Sequence, residues 1–252
     1  MNQASESNAV QSGIDVLRES REKVRADLAA AHRIIAHEDM HEGVGNHLTV
    51  LAPDDPSQMF VTPCDRYFAH IFTDDILTLD RHGKVVEGEG EPNQAAWCLH
   101  KPLHDARPDA VAIVHLHSLH STALMMQAGK RLEERGNQAA ATLYEQIAYY
   151  EEYDGALREV EEGQAMAEVL GQRSILVLRN HGFIAVGPST AIALERAYLF
   201  ERASRLQLLA ESSGSALNLI PEHLISEIAR EENRFLGRYL PGLRAYLESQ
   251  GR

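Results

Sequence analysis

His115 and His117 stand two residues apart where an apolar run over residues 111–114 gives way to polar sequence. In a strand, side chains repeat their direction every second residue, so both imidazoles leave the same face. That is the geometry in which two ring nitrogens can meet one cation at about 2 Å each. A third histidine, His181, lies between Asn180 and Gly182 and joins two short apolar segments, SILVL (174–178) and FIAV (183–186). Glycine permits a tight backbone path there. Two histidines close in sequence and one remote would leave a zinc-like ion a free position for water or substrate. The same residues also fit buried, hydrogen-bonded histidines in a chain that contains 13 of them. His47, His100, Glu145, Tyr149 and Tyr150 are candidates for proton transfer, and Arg66 for a bidentate carboxylate clamp.

The elements that must position these groups follow from periodicity and turn residues. Residues 1–13 read as a loose tail, and the remainder (14–252) as one domain, since no Pro-, Gly- and Ser-rich linker divides it. Apolar residues at three- and four-residue spacing make 14–37 helical. Gly43 and Gly45 signal a turn, and HLTVL (47–51) and MFVTP (59–63) read as a hairpin. ILTLDRHGKVVEG (76–88) gives two more strands turned at His82-Gly83. Helices are expected over 93–104, around Leu124–Met126, over 163–170 and from Ser189, which suits an N-cap. Residues 129–155 are weakly patterned. A last helix over 222–239 is expected to end at Pro241-Gly242.

Composition excludes several classes. The 252 residues carry 37 acidic and 24 basic side chains, a formal net charge of -13. This balance argues against general affinity for nucleic acid. No GxGxxG or GxxxxGK loop points to a nucleotide cofactor. Cys64 and Cys98 make no disulfide framework and no repeated CxxC pattern. The N-terminal stretch lacks a basic start and apolar run, and no segment approaches the ~20 apolar residues of a membrane span. A cytoplasmic location, without membrane association, is the expectation.

GVGNHLTV (43–50), VTP (61–63), ILTLDRHGKVVEG (76–88), NQAAWCLHKPLHDARPDAVAIVHLHS (93–118) and LRNHGFIAVG (178–187) together resemble the class II aldolase/adducin family across roughly residues 14–212. The succession ARPD, HLHS, RNHG is specific for the fold and less so for the reaction. The resemblance implies a three-layer α/β/α architecture with a largely antiparallel central sheet, and assembly as a homo-oligomer, commonly a tetramer, with sites near subunit interfaces. It implies that His115, His117 and His181 hold zinc or a similar ion such as manganese. It also aligns Asn46 and Thr62, with Arg66 nearby, with the substrate-binding side of the site, and His47 with the NHxS/T version of adducin-like members.

Two departures bear on the chemistry. Sugar-phosphate aldolases of this family carry a PSSE segment whose glutamate serves as acid/base, and anchoring on Trp97 and His100 puts Ala96 at that position. The family's TPSG reads Thr62-Pro63-Cys64-Asp65 here, and an aspartate beside a phosphate dianion is repulsive. The resemblance therefore implies a metal-dependent lyase, an aldolase or decarboxylase acting on a small non-phosphorylated hydroxy-acid or hydroxy-carbonyl, with His47 and Tyr149 as catalytic candidates. Both reactions break a C–C bond and leave negative charge on an enolate-like oxygen beside a Lewis acid. The alternatives are a non-catalytic adducin-like interaction domain and an epimerase working by reversible aldol cleavage.

Overall fold

The computed structural model describes residues 3–152 and 159–251, those before residue 20 by backbone alone. Helix α1 (Gln3–His37) begins upstream of Ile14, so the loose tail expected over residues 1–13 is replaced by helix from Gln3 onward. Residues 3–12 contain no proline or glycine, and once a turn exists each added residue gains a hydrogen bond.

Eight strands form one sheet: β1 (His47–Leu51), β2 (Met59–Val61), β3 (Leu77–Leu79), β4 (Val85–Glu87), β5 (Ala112–Leu116), β6 (Ile147–Tyr150), β7 (Ile175–Leu178) and β8 (Gly182–Gly187). Their order is β4-β3-β2-β1-β5-β8-β7-β6. Every neighbouring pair is antiparallel except β6 and β7. Those two are connected through helix α5 (Val160–Leu170), the kind of crossover that parallel pairing requires. The two expected hairpins form as β1–β2 and β3–β4.

Alternation along the central strands sorts the core into two layers. Ala112, Val114 and Leu116 of β5, with Leu48 and Val50 of β1, pack beneath α1, α6 (Thr190–Glu211) and α8 (Tyr239–Ser249). Ile113 of β5, with Ile184 and Val186 of β8, packs on the opposite face beneath α2 (Gln94–Ala106) and α5. The three-layer α/β/α arrangement with a mostly antiparallel sheet is thus the observed architecture. Because His115 follows Val114, and His47 and Thr49 flank Leu48, these polar side chains belong to the α2 face.

Local chemistry explains the element ends. Asn93 caps α2 by accepting a hydrogen bond from the Ala95 N–H, and Ser189 caps α6 through the Ile192 N–H. The weakly patterned stretch holds a short helix, α4 (Gln138–Thr142), and β6; α3 (Leu119–Met125) follows β5. The expected last helix over 222–239 is instead two, α7 (Glu222–Asn233) and α8. Pro241 lies in the first turn of α8, where its missing N–H costs no helical bond.

Candidate metal centre

β5 and β1 pair with His115 opposite His47, and the two rings lie 4.8 Å apart between centroids. β5 ends at Leu116, and His117 follows directly, with the His115 and His117 rings also 4.8 Å apart. His181 comes from the turn between β7 and β8. Its N–H bonds back to the Leu178 carbonyl at 3.1 Å, and Asn180 occupies the left-handed region at φ 55°, which asparagine tolerates better than most residues. The His181 ring centroid lies 5.1 Å from that of His115 and 4.5 Å from that of His117.

Gly182 makes this convergence possible. A Cβ there would sit 2.3 Å from the Leu116 carbonyl oxygen and 3.0 Å from Cδ2 of His117. Gly182→Ala is therefore expected to push β8 away from β5, destabilise the fold by about 1–3 kcal/mol as an overpacked site and weaken metal binding. Urea unfolding and metal titration of the same variant check both.

The hydrogen bonds determine which nitrogens can act as ligands. Nδ1 of His115 lies 3.0 Å from the Phe183 carbonyl oxygen, which can only accept, so Nδ1 carries the proton. Nδ1 of His117 lies 2.6 Å from a Glu42 carboxylate oxygen and likewise donates. In the neutral rings both Nε2 atoms are then bare lone pairs, yet they lie 2.9 Å apart. Two acceptors facing each other repel unless a cation stands between them. A proton could serve one pair, but here a third donor converges: one ring nitrogen from each of His115, His117 and His181 lies within 4.8 Å of the others. Burial and the neighbouring histidines hold His115 well below the usual histidine range, and burial pushes His181 down to about 4. His115 and His181 therefore keep neutral, ligand-competent nitrogens at pH 7. The donor set fits a divalent ion of the zinc type.

Glu42 contacts the cluster through His117, a partner that sequence reasoning missed. It sits in a turn closed by its own N–H donating to Asn46 Oδ1 at 2.7 Å and by the Gly45 N–H donating to its carbonyl at 2.8 Å. A carboxylate behind a metal-binding histidine fixes the ring and raises its basicity. Glu42→Gln is expected to lower metal affinity about 10- to 100-fold with little change in unfolding midpoint, because the side chain is largely exposed. Competition with a chromophoric chelator measures it.

The other expected site residues divide. His47 is buried beside His115, with its Nδ1 at 3.0 Å from Nε2 of His100. Asn46 is buried and shapes the Glu42 turn, while its own Nδ2 is buried without a partner. Thr62 is buried with its hydroxyl 3.5 Å from Nε2 of His32. Arg66 is half exposed and lies 3.7 Å from Asp75, and no described contact joins it to the histidine cluster. Tyr149 accepts a hydrogen bond from the Leu132 N–H at 3.1 Å beneath the Arg131 guanidinium, and burial pushes its phenol up to about 12. No described contact joins it to the cluster. It lines a cleft of about 460 Å³ that also includes Arg131, Arg179 and Asn180, the last adjacent to His181. Ala96 lies in an apolar cluster with Met59, Val61, Leu77 and Leu79.

Comparison with known proteins places this geometry. Residues 26–208 match the model of the class II aldolase and adducin N-terminal domain. The chain belongs to the class II aldolase and adducin family. Its relatives within the family include the decarboxylase NovR of Streptomyces niveus, 29% identical over 206 residues, covering 81% of this chain and 74% of that protein. They also include alpha-adducin of Rattus norvegicus, 28% identical over 202 residues, which make up 78% of this chain but 27% of adducin. Among solved structures, an L-fuculose 1-phosphate aldolase from Glaciozyma antarctica superposes with a TM-score of 0.83 at 25% identity, covering 93% of each chain. Family membership and the three-histidine cluster together support a metal-assisted activity of the lyase or aldolase type. None of the described helices is long and apolar enough to cross a membrane.

Proposed function

We propose that this class II aldolase and adducin family member is a metal-dependent lyase acting on a small, non-phosphorylated hydroxy-acid or hydroxy-carbonyl compound. The observation that carries the reading is the convergence of the His115 and His117 Nε2 atoms, 2.9 Å apart, with a ring nitrogen of His181 beside them. Zinc is the cofactor this all-imidazole donor set suits best, with manganese as the alternative. When bound, the ion supplies a Lewis acid for negative charge developing on a substrate oxygen.

The chain's own residues supply the rest. Glu42 orients His117, and the Phe183 carbonyl orients His115. His47 offers a neutral imidazole beside His115 as the group that handles a substrate proton. Asn46, with a buried free amide N–H, and Thr62 are the nearest candidates for substrate binding, with Arg66 as a carboxylate partner; Tyr149 contributes the wall of the neighbouring cleft. The aspartate following Cys64 disfavours a phosphate. Decarboxylation is favoured over aldol cleavage by the similarity to the decarboxylase NovR and by Ala96, a methyl group in an apolar cluster at the position of the aldolase acid/base carboxylate. Assembly as a homotetramer and action in the cytoplasm complete the reading.

The test is a screen of the zinc- and manganese-loaded protein for CO2 release from hydroxy-acids, with a parallel screen for aldehyde release from hydroxy-carbonyls. Turnover that disappears on chelation and returns with metal supports the proposal. Stoichiometric metal without turnover on either panel favours the second reading, a non-catalytic adducin-like domain, for which the alanine at position 96 is the specific observation.

A further inference from the structure

A second group of buried polar side chains lies behind the metal centre, between β1 and α2. His47 and Thr49 are two apart on β1 and so share its α2 face. His100 and His104 are four apart on α2 and so share the helix face turned to the sheet. They interleave into one chain. His104 Nδ1 lies 2.6 Å from the Ala110 carbonyl oxygen, and its Nε2 lies 2.9 Å from the Thr49 hydroxyl. The same hydroxyl lies 2.8 Å from His100 Nδ1, and His100 Nε2 lies 3.0 Å from His47 Nδ1. All four residues are buried.

The polarity of this chain has a single solution. A carbonyl only accepts, so His104 carries its proton on Nδ1. All three rings are buried, which disfavours a charged imidazole, and burial lowers His104 to about 4, so each ring has one proton and one lone pair. His104 Nε2 is therefore bare and accepts the one hydroxyl proton of Thr49. The Thr49 oxygen must then accept from His100 Nδ1–H. His100 Nε2, left bare, accepts from His47 Nδ1–H. Reversing any link places two donors or two lone pairs face to face in a buried site, the costly arrangement.

We propose that Thr49, His100 and His104 are positioning residues that lock His47 into its Nδ1–H tautomer and leave Nε2 as a bare acceptor beside His115. The consequence for substrate is a requirement for a hydrogen-bond donor, a hydroxyl, at that nitrogen. That consequence rests on the lyase reading; the tautomer lock itself does not.

The test reads ring nitrogens directly. In protein with 15N-labelled histidine, His47 is assigned by its loss in His47→Gln, and nitrogen NMR distinguishes the protonated from the bare ring nitrogen in metal-free and zinc-loaded protein at neutral pH. A single His47 species with Nδ1 protonated and Nε2 bare is expected in the wild type, and an Nε2–H species overturns the proposal without recourse to any variant. Thr49→Val, close in shape but unable to donate or accept, is expected to split His47 between both tautomers, and Thr49→Ser to restore the single one. An unchanged single tautomer in a folded Thr49→Val overturns the role of the chain. With a substrate from the screen above, Thr49→Val is expected to reduce kcat about 10- to 100-fold at unchanged metal content, with recovery in Thr49→Ser. A correct tautomer in a protein that turns over nothing sinks the lyase reading and leaves the lock standing.

Discussion

His181→Ala is expected to abolish stoichiometric metal binding while leaving the fold intact. His181 contributes one of three convergent imidazoles, and losing it leaves a two-nitrogen site open to water. The loss of affinity should exceed the about 100-fold ceiling for changes behind the ligands. The ring is only partly buried and sits in a turn, so its removal opens no core cavity. His115→Ala should lose the metal as completely but also destabilise the protein. His115 is buried, and its removal leaves the Phe183 carbonyl without its donor, at about 1–3 kcal/mol. Elemental analysis of the purified variants measures the first effect and thermal unfolding the second. About one divalent ion per wild-type chain, absent from both variants, is the expected pattern. Equal metal content in wild type and His181→Ala would dismiss the three-histidine centre.

Acid should destabilise the metal-free protein steeply between about pH 6.5 and pH 4, and buried histidines outside the metal centre contribute to the loss. His32 and His104 are buried, and burial, the largest cause in each, lowers both to about 4. In the unfolded chain a histidine titrates near 6.5. Above pH 6.5 neither state binds a proton at these sites, so stability does not vary through them. Between 6.5 and 4 the unfolded chain takes protons that the native rings refuse, and stability falls as pH falls, by about 1.4 kcal/mol per unit per histidine. Below 4 both states are protonated and the loss levels off at about 3 kcal/mol for each residue. Burial lowers His47 and His100 in the same direction, so they add to the fall. Urea unfolding midpoints measured in chelator across this range check the effect, and His32→Asn should flatten the curve. Stability that is level from pH 7 to pH 4 would contradict the buried, neutral state of these rings.

Much of the candidate centre was legible because its residues are local. His115 and His117 are two apart on a strand, and that period alone puts both rings on one side. The Asn180-His181-Gly182 turn announced itself by a glycine between two apolar runs, and the structure adds the reason, the 2.3 Å approach to the Leu116 carbonyl that a Cβ would make. The hairpins and the capped helices α2 and α6 follow from alternation and from Asn93 and Ser189. Two expected helix boundaries differ from the structure. Helix α1 propagates back to Gln3, and the expected last helix divides into α7 and α8.

Identity and spacing of residues determined the candidate ligand residues, the strand and turn that carry them, and the family. Tertiary structure decided everything that depends on register or on distant partners. Antiparallel pairing of β1 with β5 put His47 opposite His115, and a slip of one residue would have turned it to the other face. Docking of α2 on that face joined an HxT strand to an HxxxH helix, two patterns that carry no meaning until they meet. A turn 75 residues away from His117 delivered Glu42 to its ring. Tertiary packing also set the contacts of Tyr149 with Leu132 and of Arg66 with Asp75, residues whose partners no local pattern announces. Periodicity is a property of one segment and can be read along the chain, whereas hydrogen-bond polarity and metal-site closure belong to pairs of segments and exist only once the sheet has chosen its neighbours.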